Sequence, residues 1–381
     1  MIATSNRLSD VKEYYFSKKL RAIKILEEQG QNIINIAIGS PDLDPPKQIL
    51  SALTNASILP QANGYQSYQG LPELREAMAK FYKNKFKVNL NPKNGILPLM
   101  GSKEGIMLTS LTFLNAGDSV LIPNPGYPTY TSATKLLNAK PIFYNLTAKN
   151  NWLPDFKTLE KQDLTKVKLM WLNYPHMPTG SVATDKLFIQ LIQFAKKHKI
   201  LLINDNPYSF ILNDNPTSIL SFPGAKDVAL ELNSLSKTFN MPGWRVGMLL
   251  GAEKYVKAVL QVKSNMDSGM YFAIQKSAIA ALESDENWYT KLNTVYKKRR
   301  DIVWQIMDKL HCSYNKNTAG LFVWGKVPKQ TNGKALADYL LEEKQVFVTP
   351  GFIFGSQGKN YIRISLCETE NVLKTVLNRL K

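Results

Sequence analysis

The sequence has few of the residues on which disulfide scaffolds and metal sites depend. Its 381 residues include two cysteines, Cys312 and Cys367, and three histidines. The cysteines lack a metal-type spacing and the histidines are scattered, so no metal site is expected. Two cysteines are also too few for a disulfide framework, so the sequence favours a reducing cytoplasm as the location of the protein.

Long apolar stretches are also missing. No apolar run reaches the roughly 18 residues of a membrane-spanning helix. The polar start, residues 1–12, lacks the apolar segment of a secretory signal. We therefore expect a cytoplasmic protein without membrane contact. The 44% of hydrophobic residues still suffices for a large core, and the length fits one or two domains.

Acidic residues are scarce relative to basic ones. The chain has 30 Asp and Glu against 48 Lys and Arg, a net charge of +18, which raises the question of a nucleic-acid partner. The basic residues are spread along the chain, and the densest runs, 196–199 and 297–300, have the pattern of solvated helix faces. Without a DNA- or RNA-binding module, the charge better suits attraction of small anions, and no nucleic acid is expected.

Strand and helix patterns alternate between residues 95 and 250. The predicted strands are Ile96–Leu99, Ser119–Ile122, Lys140–Tyr144, Leu169–Asn173, Leu201–Asn204, Val228–Leu232 and Gly247–Leu250. Short apolar strands separated by helices predict an α/β fold with a mostly parallel, seven-stranded sheet between helices. Ligands bind at the carboxyl ends of the strands in such sheets.

The two ends of the chain follow other patterns. An amphipathic helix is predicted over 7–30 and a short strand over 33–38. After residue 252, long helices over 270–310 precede strands at 320–324, 346–348 and 361–365. This part predicts a second, smaller α+β domain.

One lysine follows a predicted strand in an unusual setting. Lys237 stands in Ser234-Leu235-Ser236-Lys237-Thr238-Phe239, and Gly243-Trp244-Arg245-Val246-Gly247 comes soon after. Ser-x-x-Lys alone also fits a solvent-exposed lysine or the nucleophile pair of a penicillin-binding protein. The latter needs Ser-Asp-Asn and Lys-Thr-Gly partners, and the sequence contains neither tripeptide.

An acid and a phenol follow another predicted strand. Asp205 and Tyr208 come directly after the apolar residues 201–203. A carboxylate there could keep a pyridine nitrogen protonated and make the ring an electron sink, while a phenol could hydrogen-bond a ring oxygen. Taken separately, Asp205 also fits a helix cap and Tyr208 a core tyrosine.

Together these motifs resemble the class I/II, fold-type I aminotransferases, the aspartate aminotransferase superfamily, which use pyridoxal phosphate. The resemblance covers residues 7–380. It implies a large cofactor-binding domain over 41–275 and a small domain over 276–381, which residues 1–40 join. It also implies a homodimer.

The resemblance assigns roles to individual residues. Lys237 corresponds to the lysine that bonds the cofactor and later moves the substrate's α-proton, with Asp205 and Tyr208 on the cofactor ring. The remaining cofactor-binding positions it implies are Gly101, Ser102, Lys103, Tyr127, Asn173, Ser234 and Arg245, and Tyr65 acting in the neighbouring subunit. Arg363 and Gly39 correspond to residues that hold the substrate carboxylate.

One position departs from the family pattern. The family usually has Asn-Pro-Thr-Gly after this strand, with the asparagine bonded to the cofactor's O3′, whereas this chain has Met177-Pro178-Thr179-Gly180. Methionine cannot donate that hydrogen bond. Tyr208 would then act alone, or His176 or Asn173 would compensate.

The expected reaction moves an amino group from an L-amino acid to a 2-oxo acid, with 2-oxoglutarate as the expected acceptor and an aspartate-aminotransferase-like donor range. Residues 97–106 and 263–269 also resemble LL-diaminopimelate aminotransferases, the main alternative. A carbon–sulfur lyase on the same scaffold would use the same lysine. A regulator with an aminotransferase-like domain is disfavoured because few residues precede the first predicted helix.

Overall fold

The architecture comes from a computed structural model that describes residues 2–380. The α-helices span Tyr15–Glu28 (α1), Lys47–Ser57 (α2), Pro72–Phe86 (α3), Ser102–Phe113 (α4), Pro128–Leu136 (α5), Phe156–Leu159 (α6), Asp185–His198 (α7), Ala225–Val228 (α8), Leu235–Thr238 (α9), Glu253–Lys263 (α10), Phe272–Leu282 (α11), Glu286–Lys309 (α12), Gly333–Lys344 (α13) and Glu370–Arg379 (α14). No helix in this range is long and apolar enough to cross a membrane.

The strands alternate with these helices over most of the chain. They are Ile34–Asn35 (β1), Ile96–Leu99 (β2), Ser119–Asn124 (β3), Lys140–Asn145 (β4), Val167–Leu172 (β5), Leu201–Asp205 (β6), Ala229–Ser234 (β7), Gly247–Gly251 (β8), Ser313–Tyr314 (β9), Phe322–Lys326 (β10), Val346–Phe347 (β11), Thr349–Pro350 (β12) and Tyr361–Ser365 (β13). Each of the seven strands predicted between residues 95 and 250 is present, with ends shifted by at most two residues.

Seven strands form the large sheet in the order β2-β8-β7-β6-β5-β3-β4. Only β8 runs antiparallel, and it lies between β2 and β7. Strands β6, β7 and β8 are buried along their whole length. Apolar residues on both faces bury these strands under helices, so the predicted mostly parallel sheet is confirmed.

A smaller antiparallel sheet in the order β12-β13-β10-β9 follows in the C-terminal part. The start of the chain pairs with this part, because β1 runs parallel to β11, with Ile34 opposite Val346. Helix α1 contributes Phe16 and Ile23 to a cluster that includes Phe347. These contacts support the assignment of residues 1–40 to the small domain, while the boundaries themselves stay a prediction.

The N-terminal prediction was partly wrong. The helix predicted over 7–30 is an α-helix only over Tyr15–Glu28, after a short 3₁₀ turn at Asn6–Leu8. The strand predicted over 33–38 is shortened to two residues. Apolar periodicity marks the buried face but not the ends, which depend on capping and on the partner strand.

Candidate active site

The carboxyl ends of the central strands open into a cavity of about 700 Å³. Most of the residues selected from the sequence line it. They are Gly39, Ser102, Lys103, Tyr127, Asn173, Asp205, Tyr208, Ser234, Lys237, Arg245 and Arg363. Gly101 precedes Ser102 at the same turn, whereas Tyr65 lies elsewhere and is 93% exposed.

Lys237 reaches the cavity from a single helical turn after β7. Ser234 begins that turn, and its hydroxyl accepts a hydrogen bond from the Ser236 N–H at 3.0 Å. The Lys237 amine donates to the Gly39 carbonyl at 2.5 Å. Burial lowers the pKa of Lys237 from 10.5 to about 8. A larger share of the amine is therefore uncharged near neutral pH, as a nucleophile or base requires.

Asp205 ends β6 with one satisfied and one unsatisfied carboxyl oxygen. Its Oδ2 accepts from the Tyr130 hydroxyl at 2.9 Å, and its Oδ1 is buried without a hydrogen-bond partner. Burial raises the pKa of Asp205 to about 7, although the Tyr130 hydrogen bond opposes that rise. A buried, unpartnered carboxyl oxygen is costly unless a donor completes it. A protonated ring nitrogen is such a donor.

Two aromatic residues selected from the sequence also face this region. Tyr127 precedes α5 and contacts Tyr130 edge-on, with ring centroids 5.6 Å apart. Tyr208 follows β6, and its ring lies 6.0 Å from the Phe322 ring. Burial raises the pKa of both phenols, so each stays protonated and can donate a hydrogen bond at neutral pH.

The start of α4 and Arg245 form the cationic end of the cavity. Gly101 has φ +84°, and a side chain there would collide with the Arg245 guanidinium. Arg245 itself has φ +57° and donates to the Pro242 carbonyl at 2.9 Å. Free N–H groups at a helix start and an adjacent guanidinium favour an anion such as phosphate.

Arg363 lies on β13 in an apolar setting. Its hydrogen-bond partners among the described residues are uncharged: Ala37 O at 2.9 Å, Thr349 Oγ1 at 3.5 Å and Met177 Sδ at 3.3 Å. The guanidinium also lies 3.8 Å from the Phe322 ring centroid. Burial lowers its pKa to about 10, so it remains charged at neutral pH. A buried cation with neutral partners is suited to an incoming carboxylate.

The residues around Met177 bear on the question of compensation. Asn173 donates one amide N–H to the Asp205 carbonyl at 2.5 Å and accepts from the Met177 N–H at 2.8 Å, which leaves its second N–H for another partner. His176 is buried against Thr179 and does not line the cavity. Burial lowers the pKa of His176 to about 3, so it is neutral. Tyr208 remains as the phenol donor on this side.

Some cavity residues had no signal strong enough for prediction. The aromatic and apolar lining includes Tyr14, Phe16, Leu20, Ile38, Phe322 and Phe354. They come from distant parts of the chain, where a single aromatic residue looks like ordinary core. Tyr130 did carry a local signal, because it lies in the first turn of α5, three residues after Tyr127, which directly precedes that helix.

A sequence model of the family described as "Aminotransferase class I and II" matches residues 31–380. The chain belongs to the class I and II aminotransferases. An LL-diaminopimelate aminotransferase of Dehalococcoides mccartyi is 39% identical over 99% of this chain and 97% of its own length. An LL-diaminopimelate aminotransferase of Aquifex aeolicus is 37% identical over 100% of this chain and 99% of its own length.

Solved structures of related chains share the whole fold of this aminotransferase. Apo-BacF of Bacillus subtilis is similar with a TM-score of 0.96 and 38% identity, covering 100% of this chain and 98% of its own. An aminotransferase of Staphylococcus aureus has a TM-score of 0.91 and 31% identity, covering 99% of this chain and 98% of its own. These likenesses confirm the predicted fold class.

As a member of this family, the aminotransferase uses pyridoxal 5′-phosphate. The residues present fit that group. The unpartnered Asp205 Oδ1 suits the ring nitrogen, and the space that Gly101 leaves beside Arg245 suits the phosphate. The partly uncharged Lys237 amine suits an aldehyde.

Proposed function

We propose that this aminotransferase moves the amino group of an L-amino acid to 2-oxoglutarate, with Lys237 as the proton-transfer group and Arg363 as the carboxylate anchor. The observation that carries this proposal is the convergence of three groups in one cavity: a lysine of lowered pKa, an unpartnered aspartate oxygen, and an arginine whose hydrogen-bond partners among residues 2–380 are uncharged. When bound, pyridoxal phosphate supplies an aldehyde and a ring that accepts negative charge from the substrate's Cα.

The protein residues divide the remaining work. Arg363 binds the α-carboxylate and so fixes the orientation of the Cα–H bond. Lys237 takes that proton from Cα and returns it to the other carbon that is bonded to the transferred nitrogen. Asp205 holds positive charge at the ring nitrogen, and the Tyr208 hydroxyl is available to the ring oxygen. Gly101, Ser102, Lys103, Ser234 and Arg245 would hold the phosphate.

The cavity walls favour a large apolar or aromatic donor side chain. Phe322 and Phe354 flank Arg363, with ring centroids 3.8 and 4.8 Å from its guanidinium carbon. The carboxylate in the cavity lining among the described residues is that of Asp205, and the ring nitrogen would pair with it, so it is not available to the donor side chain. For the acceptor, Lys103 supplies an ammonium that could meet the distal carboxylate of 2-oxoglutarate.

LL-diaminopimelate is the second candidate donor. Its support is the similarity to LL-diaminopimelate aminotransferases that are 37–39% identical over almost the whole chain. The distal ammonium of this donor would need a carboxylate, and the carboxylate in the cavity lining among the described residues, Asp205, is already assigned to the ring nitrogen. A neighbouring subunit would have to supply another.

A homodimer is part of the same proposal. Tyr65 is 93% exposed, and nearby loops expose Tyr68 and Met266 by 43% and 56%. An apolar surface of this kind is typical of an interface between subunits. In a dimer Tyr65 would reach the neighbouring phosphate site. Sedimentation equilibrium distinguishes this assembly from a 43.0 kDa monomer.

Single half-reactions test the function. We expect mixing the holoenzyme with phenylalanine to change the visible absorbance of the bound cofactor and to release the matching 2-oxo acid stoichiometrically. LL-Diaminopimelate and aspartate are the comparison donors. Release of pyruvate and ammonia from cysteine, without an acceptor and with continued turnover, would instead identify a lyase. No spectral change with any amino acid would contradict the proposal.

The lowered pKa of Lys237 predicts a pH dependence that can be measured without cofactor. The uncharged amine becomes the main form above pH 8, so acetylation of Lys237 by acetic anhydride should rise with a midpoint near pH 8. A lysine in a model peptide, with a pKa of about 10.4, is the control. Mass spectrometry of Lys237-containing peptides gives the rates. A midpoint equal to the peptide's would show that burial does not activate this amine.

A further inference from the structure

A buried ionic cluster lies beside the cavity without lining it. It consists of Lys263 at the end of α10, Glu104 in the first turn of α4, and Asp267. The Lys263 side chain is 1% exposed, and its amine donates to Glu104 Oε1 at 3.1 Å and to Asp267 Oδ2. An ion cluster this deeply buried is costly to assemble, so it invites a question about what it holds in place.

On one side, the cluster holds the turn at the cavity's cationic end. The other oxygen of Glu104, Oε2, accepts from the Met100 N–H at 2.6 Å. Met100 precedes Gly101, whose φ of +84° sets the direction in which α4 begins. Glu104 therefore fixes the turn that presents the Ser102 and Lys103 N–H groups.

The charge of Glu104 matters for this turn as well as its geometry. A carboxylate in the first turn of a helix lies close to the place where an anion would bind, and it would repel a phosphate. The ammonium of Lys263 lies between this carboxylate and that of Asp267, and it offsets part of their negative charge. The cluster thus holds the turn with less repulsion of the anion than Glu104 alone would cause.

On the other side, the cluster holds a second loop. Asp267 Oδ1 accepts from the Gly269 N–H at 2.9 Å. Gly269 has φ +85°, and a side chain there would come within 2.5 Å of the Gln66 carbonyl oxygen. The Asp267 turn therefore packs directly on the backbone next to the exposed Tyr65.

We infer that Lys263, with Glu104 and Asp267, is a positioning group that couples the phosphate-binding turn to the loop carrying Tyr65. Through it, cofactor binding in one protomer strengthens association with the next, and association strengthens cofactor binding to the same degree. This inference rests on the cofactor site and the homodimer proposed above.

The experiment measures two quantities on the full chain. Pyridoxal phosphate is titrated into cofactor-free protein by fluorescence, and dimer dissociation is measured by sedimentation with and without it. In the wild type we expect the cofactor to tighten the dimer at least about fivefold. In Lys263→Met we expect cofactor affinity to fall about tenfold or more, because Glu104 and Asp267 are left without their shared cation. We expect the coupling to fall to the part that the direct contact of Tyr65 supplies.

Further variants separate the contact of Lys263 with Glu104 from its contact with Asp267. Asp267→Asn keeps the Lys263–Glu104 pair, so it should retain cofactor affinity but show weaker coupling than the wild type. The triple variant Glu104→Gln/Lys263→Met/Asp267→Asn removes both carboxylates that Lys263 pairs with, so it should regain affinity without regaining the wild-type coupling. Lys276→Met is the matched control, because it removes an exposed ion pair with Glu73 and should change neither quantity.

Several results would overturn the inference. One is wild-type coupling in Asp267→Asn. Another is Lys263→Met with lower unfolding temperature but unchanged cofactor affinity, which shows a merely structural cluster. If Lys263→Met does not fold, Asp267→Asn decides alone. A wild type that does not bind pyridoxal phosphate removes the proposed function and this inference together, whereas a wild type that binds it without any coupling removes only the inference.

Discussion

The Lys237→Ala variant will turn over its amino-acid substrate about 10²- to 10⁴-fold more slowly than the wild type, because the cavity loses the group that moves the α-proton. The variant should fold normally, since it removes one side chain whose amine has the Gly39 carbonyl as its hydrogen-bond partner in the part of the chain that the structure describes. Single-turnover kinetics with one amino acid, with 2-oxo acid as the measured product, give the rate. Binding of the amino acid should survive, because Arg363 is intact.

A matched control and a rescue make this result specific. Lys257→Ala removes an exposed lysine of α10 and should leave the rate unchanged. Small primary amines added to Lys237→Ala should restore part of the rate in proportion to their basicity, because they can carry the same proton. A rate within tenfold of the wild type would show that another group moves it.

The Arg363→Met variant will lose about 30- to 5,000-fold in kcat/KM, the range expected when a buried charge pair of 2–5 kcal/mol is broken. The loss follows from the position of Arg363. It is buried on β13, and its partners there, Ala37, Thr349 and Met177, carry no charge. The substrate carboxylate would therefore be its counterion. Steady-state kinetics at varied donor concentration measure the effect.

The comparison substrate decides whether the carboxylate is responsible. An amine that lacks the α-carboxylate should react slowly with both enzymes, and Arg363→Met should lower its rate little. Arg363→Lys should fall between the two, since an ammonium keeps the charge but lacks the two-pronged geometry. Equal losses for the amino acid and the amine would place Arg363 in the support of the fold instead.

Much of the candidate site was predictable because its residues follow strands. Asp205 and Ser234 lie at the carboxyl ends of β6 and β7, and Gly101 follows β2. The apolar strand pattern is local, and it therefore fixes where each turn falls along the chain. Parallel neighbouring strands then place the ends of β6 and β7 at one edge. The family resemblance came from the residues of the motifs around Lys237 and Asp205 together with their order along the chain.

The electrostatic state of each group was not predictable. The same Asp205 could have been fully hydrogen-bonded, and the same Arg363 could have formed an internal salt bridge. The fold decided otherwise, with Tyr130 satisfying one oxygen of Asp205 and Met177 placing sulfur beside Arg363. These partners are 75 and 186 residues away in sequence. The local periodicity of apolar residues contains no information about which residues so far apart in sequence will be in contact.

The sequence by itself therefore determined the fold class, the family and the cofactor, and it proposed Lys237 as the reactive lysine, because these depend on short motifs and on the period of apolar residues. Only the tertiary structure decided that Asn173 hydrogen-bonds the backbone of Asp205 and Met177, that the cavity wall is aromatic, and that a buried cluster around Lys263 joins two loops. Burial and strand pairing between distant segments set the partner of each polar group, and the partner sets its charge and its chemistry.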